Sequence, residues 1–139
     1  MSIARVRVVF FLLLLVIVPC FGLVQTLRAQ VRDRPTGTYT NMLYIKEVGD
    51  VIGEELKIVL VQGGEYEGAL QFSEGEPGGL LIVEIKLTGK KITFAVPDTD
   101  AHAGEFSGTI ERGVIRGGFR FKRGGVKSVT LKKGKSYWD

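Results

Sequence analysis

A single antiparallel up-and-down β-barrel of about eight strands, preceded by an N-terminal hydrophobic signal segment, is the all-β fold that this sequence predicts. Three observations carry that reading. Apolar and polar residues alternate with period two in eight runs of strand length, as a sheet with one dry and one wet face requires. Between the runs stand short turn sequences such as "QGGE", "SEGEPGG", "TGKK", "ERGV" and "KRGGVK", rich in the residues that break strands. No amphipathic helix of useful length follows residue 30.

The first element is the segment "MSIARVRVVFFLLLLVIVPCFGLVQTLRAQ". Arg5 and Arg7 precede an apolar run from Val8 to Val18, and no acid interrupts it. That is the order of a secretory signal, with a cut expected after Ala29. The competing reading is an uncleaved membrane anchor over Val8 to Leu27, since about 20 apolar residues cross a bilayer; Pro19, Gly22, Gln25 and Thr26 weaken it. Lipid attachment at Cys20 would want a small residue before the cysteine, and Pro19 is a poor one. The expected organisation is therefore signal peptide 1–29, linker 30–36, barrel 37–133 and C-terminal tail 134–139. The expected location is periplasmic or extracellular, with membrane contact only through residues 1–29 if they are kept.

The basic segment also explains the charge. The whole chain has 19 Lys plus Arg against 15 Asp plus Glu, but only 16 of those bases lie beyond residue 29. A nearly neutral remainder gives no case for nucleic acid. Within it the charges are sorted: Lys46 to Glu111 holds 13 acids and 5 bases, while Arg112 to Asp139 holds 9 bases and 1 acid. The last strands should therefore lie beside acidic neighbours. Cys20 is the chain's one cysteine, so the barrel can have no disulfide, thiol nucleophile or cysteine metal site.

The strands follow in order. "TYTNMLYIK" sets Tyr39, Leu43 and Ile45 on one face, and "ELKIVLVQ" sets Leu56, Ile58 and Leu60 there. "EYEGALQF" aligns Tyr66, Gly68, Leu70 and Phe72, with Glu65 and Glu67 outward. "LLIVEIKL" and "KITFAV" contribute Leu81, Val83, Ile85, Leu87 and then Ile92, Phe94, Val96. "EFSGTIE" aligns Phe106, Gly108 and Ile110; "VIRGGFRFK" aligns Ile115, Gly117, Phe119 and Phe121; "KSVTLKK" aligns Val129 and Leu131. Gly68, Gly108 and Gly117 thus share the dry face with the aromatics, which predicts structural glycines that let a closing sheet bend and make room for a ring. Short consecutive connections favour a meander, and closing it removes both exposed edges.

"GTYTNML", "LKIVLVQGGEYEGALQF", "LTGKKITFAVP" and "GEFSGTIERGVIRGGFRF" together resemble the small lipocalin-like, calycin-type β-barrel domain of exported bacterial proteins, over about Gly37 to Lys133. Tyr39 and Phe119 stand where that pattern has tryptophan. The resemblance implies a barrel and no settled activity. "GTYTN" and "GEFSGTI" are also similar, more loosely, to avidin-type barrels, which would put Asn41 on a ligand. Avidin pockets are walled by several tryptophans, whereas this chain has Trp138 alone, in its tail.

Candidate sites are few. His102 is the only histidine, and Ser73, Ser107, Ser128 and Ser136 sit on strand faces, in turns or in the tail with no nucleophile elbow. No catalytic residue is assigned, and a non-catalytic protein without a cofactor is expected. Asp98, Asp100, His102 and Glu105 form the candidate metal set, for Ca²⁺ or Zn²⁺ and metal-assisted hydrolysis; the plainer reading is a solvated turn. Tyr39, Asn41, Tyr66, Phe94, Phe106, Phe119 and Phe121 are the candidate interior ligand residues, because eight strands leave a barrel that side chains just fill or that holds one small molecule. Arg116, Arg120 and Lys122, joined by Arg112, Arg123 and Lys127, read as a cationic stripe on the outer face. The leading expectation is a binding or structural module, with a carrier of a small apolar ligand as the alternative; the partner is such a ligand or an exported protein.

Overall fold

The computed structural model describes residues 34–139, and the signal segment expected at 1–29 lies outside them. Nine strand elements make one antiparallel sheet: β1 (Gly37–Thr40), β2 (Leu43–Ile45), β3 (Asp50–Leu60), β4 (Tyr66–Gly75), β5 (Leu81–Thr88), β6 (Lys91–Val96), β7 (Gly104–Glu111), β8 (Val114–Phe121) and β9 (Val126–Gly134). Each strand from β3 to β9 pairs with the next in sequence, so the meander follows from its short turns. Closure is made by β1, which pairs with β9 from Thr38↔Gly134 to Thr40↔Lys132 and with β3 from Gly37↔Ile58 to Thr40↔Glu55. Because β1 and β2 lie along the same edge of β3, they are one interrupted strand, and the nine elements form a closed eight-stranded barrel.

The interruption at Asn41 and Met42 has a local cause. Asn41 donates its backbone N–H to the Glu54 carbonyl at 3.0 Å, and its side-chain oxygen accepts the Glu54 N–H at 2.6 Å. Opposite, Gly53 adopts φ +116°, and a Cβ there would fall 2.7 Å from the Asn41 side-chain oxygen. Only glycine fits that position.

Beyond this point β2, the start of β3 and the end of β4 continue as an extension above the barrel rim, since β5 covers β4 only from Tyr66 to Leu70. That geometry corrects two sequence expectations. Leu43 shares the alternation of Tyr39 but is 57% exposed, and Leu60, at the other rim, is equally open. Both keep the expected parity, but no opposite wall reaches them.

The core is the aromatic and aliphatic interior of the barrel. Leu56, Leu70, Ile92 and Ile115 have no exposed surface, and the whole buried cluster from Tyr39 to Leu131 lies between 0 and 7% exposed. The Phe94 and Phe106 rings stack at 4.7 Å; Phe119 meets Phe106 at 4.9 Å and Phe72 edge-on at 5.1 Å. Such pairs contribute about 0.5–1.5 kcal/mol each beyond burial.

Room for this stack comes from glycine. Gly108 and Gly117 face each other across β7 and β8. A Cβ on Gly117 would lie 2.6 Å from Phe106 Cζ and 2.5 Å from the Ser107 carbonyl oxygen. Neither glycine has positive φ, so what they supply is space and close strand approach.

Candidate functional site

The seven candidate interior residues lie in different surroundings. Phe94, Phe106 and Phe119 pack on one another. Tyr39 is buried and donates its hydroxyl to the Pro35 carbonyl at 2.9 Å. Tyr66 is half-buried on β4 next to the β3–β4 turn, and Phe121 is half-buried at the far end of β8. Asn41 is exposed at the rim, where its amide nitrogen donates to Glu54 Oε2 at 2.9 Å.

At that rim a polar group enters the barrel. Glu54 is 1% exposed, and Lys127 Nζ lies 2.5 Å from its Oε1, in an ion pair that is not directed along a hydrogen bond. Lys127 belongs to this inner face: it is paired with Phe119 and shares the parity of the buried Val129 and Leu131. This corrects its assignment to the outer cationic stripe. The signal was present in the alternation, because Glu54 likewise shares the parity of Leu56 and Ile58.

Beside the rim the loop between β6 and β7 folds inward. His102 stacks on Phe72 with centroids 4.2 Å apart, its Nδ1 lies 2.8 Å from Asp100 Oδ1, and its Nε2 is 3.2 Å from Glu74 Oε1. Asp98 instead pairs with Lys122 at 2.5 Å, and Glu105 points outward from β7 opposite Arg120. Of the four candidate metal ligands the fold brings together only Asp100 and His102, and among the described residues no group of three or more His, Cys, Asp or Glu is placed to hold a metal. The hollow they border with Phe72, Glu74 and Gly78 is about 100 Å³. For comparison, an engineered apolar cavity of about 150 Å³ takes up one benzene ring.

Burial pushes the Asp100 carboxyl up, but the His102 backbone N–H, ring and charge together bring it below its ordinary 3.8. A carboxylate lowered by folding stabilises the native state above the unfolded pKa, and that contribution is lost as pH falls through the lower native value. Asp100→Asn should therefore flatten the acid limb of the melting temperature measured against pH below about 4. An unchanged acid limb would show that the loop does not couple to folding.

The outer face of β3 and β4 carries a second arrangement. Glu55 points away from the core yet is only 8% exposed, because the tail covers it. Its carboxylate accepts from Ser136 Oγ at 2.6 Å and from the Tyr137 N–H at 2.8 Å, while Trp138 Nε1 donates to Gln71 Oε1 at 2.8 Å. Between the tail and Pro77 and Leu80 runs an open groove of about 490 Å³. The pattern "KSYWD" suggests either a plug folding back on a barrel end or an exposed contact patch; the tail instead folds back onto the outer face of β3 and β4, on partners more than sixty residues away. Glu55→Ala should release the tail: emission from Trp138, the chain's one tryptophan, would shift to the red while stability falls by about 1 kcal/mol.

No protein-family model matches the chain, and neither does a curated protein or a solved structure.

Proposed function

We propose that the chain is an exported, non-catalytic binding module of the lipocalin-like class that meets its partner on the outside of the barrel. One observation supports this above the others: the interior is occupied by its own stacked rings, with core side chains 0 to 7% exposed. A small apolar ligand carried inside would have to displace Phe94, Phe106 or Phe119, with about 3–5 kcal/mol of packing resting on each such ring. Metal-assisted hydrolysis is the weaker reading, since Lys122 neutralises Asp98 and Glu105 faces away.

Native mass spectrometry of the protein purified from its own host tests the proposal. The expected species is the chain cut after Ala29, free of any apolar adduct. A bound molecule of one ring or more, released by organic solvent, would overturn the outward reading in favour of the carrier. A mass that retains residues 1–29 would replace export in free form by anchoring.

A further inference from the structure

Gly118 sits mid-strand in β8 on the outer face, and nothing in the fold asks for glycine there. Its φ is not positive, and a Cβ would meet nothing closer than 3.4 Å, the Lys127 carbonyl oxygen. Its neighbour Gly117 has no such room. Glycine inside a strand weakens it, and it marks a bulge, a bend of the sheet, or a place where a ligand or another backbone comes close; the groups around Gly118 favour the ligand.

What surrounds the bare position is specific. Ser107 and Ser128 stand directly opposite Gly118 on β7 and β9, each about 4.8 Å away at the usual strand spacing. Arg116 and Arg120 flank it along β8, each about 6.6 Å off at about 3.3 Å per residue. Thr109 and Thr130 bracket Arg116 in the next row. Both arginines are exposed, and among the described residues neither guanidinium group holds a hydrogen bond or an ion pair. The nearby acids leave the guanidinium groups open: Glu111 is bonded to Lys90 at 2.6 Å and feels Arg116 only through its charge, and Glu105 lies across from Arg120 without pairing.

We infer that this dip is a binding site for an acidic polysaccharide, with a carboxylate or sulfate group seated over Gly118 between the two guanidinium groups and the chain's hydroxyls meeting Ser107, Ser128, Thr109 and Thr130. Guanidinium forks match planar oxyanions, and the hydroxyl rows suit a polyhydroxylated chain better than a bilayer. Of the large exposed apolar residues, Val126 lies beside the dip, opposite Arg120, whereas Leu80, Ile82 and Trp138 belong to β5, its approach and the tail.

The inference rests on the outward reading above, yet the two fail separately, because an apolar adduct in the native mass speaks only to the interior. The probes are polygalacturonate, neutral dextran and anionic phosphatidylglycerol vesicles, with binding measured at two salt concentrations. Polygalacturonate should bind with an affinity that falls with salt, and dextran should not bind. Arg116→Gln with Arg120→Gln should weaken binding at least about tenfold. Gly118→Val, whose Cβ meets nothing closer than 3.4 Å, should do the same with a melting temperature within about 4 °C of the parent. Lys57→Gln with Lys86→Gln, elsewhere on the barrel, should leave affinity as it was. No binding to polygalacturonate, equal losses in the Lys57 and Lys86 variant, or a preference for vesicles would overturn the site.

Discussion

Gly108→Val should lower the melting temperature by about 12–24 °C, while Gly118→Val, on the paired strand next to it, should leave it within about 4 °C. The contrast isolates space from backbone conformation, since neither position has positive φ. A Cβ on Gly108 would lie 2.5 Å from the Arg116 carbonyl oxygen and 2.9 Å from the Gly117 Cα. Both atoms are backbone in the central ladder between β7 and β8, so relief requires the strands to part, and overpacking of that kind costs about 3 kcal/mol. At Gly68, by contrast, the nearest atoms are the ends of the Leu56 and Ile85 side chains, which can turn aside. Thermal unfolding of the three valine variants should thus rank Gly108 worst, Gly68 intermediate and Gly118 mildest. A Gly108→Val protein that melts with the parent would mean that β7 and β8 approach less closely than this register requires.

The alternation that made the strands legible has a defined reach. It placed Leu56, Phe72, Val83, Ile92, Phe106, Ile115 and Leu131 in the core because a sheet inverts side chains at every residue, and these residues are buried. It did not say where a strand outruns the wall opposite, so Leu43 and Leu60 read as core and are exposed. It also carried more than hydrophobicity. Glu54 and Lys127 had the inward parity throughout, but a charged residue at a strand end reads as solvated until the fold shows that the two ends meet. The charge sorting of the chain had pointed there, and Lys127 with Glu54 and Lys122 with Asp98 are contacts between its basic and acidic parts. The loop around His102 was visible as a cluster in sequence, and Asp100 is indeed its partner, yet the second, Glu74, comes from β4 across the mouth. The seat of the tail on Glu55 and Gln71 depends on contacts over more than sixty residues, for which a local pattern has no sign.

The buried charge pair gives the other large effect. Lys127→Met would leave Glu54, 1% exposed, with the Asn41 amide as its side-chain hydrogen-bond donor at 2.9 Å. Removing one partner of a fully buried pair costs about 3–5 kcal/mol. Because the Lys127 side chain is 42% exposed, water already screens part of the pair, and a loss of about 2 kcal/mol is expected. That corresponds to about 8–16 °C in melting temperature. The cause is the orphaned charge and not the loss of lysine packing, so Lys127→Met with Glu54→Met should regain most of the stability, because Asn41 is exposed and water can take up its amide N–H while its oxygen keeps the backbone N–H of position 54. Chemical denaturation of the parent, the two single variants and the double variant closes the cycle. A double variant no more stable than Lys127→Met would show that the rim is held by the shape of these side chains. A double variant near the parent would show that the barrel tolerates an apolar mouth and that the charge left unpaired was the cost of Lys127→Met.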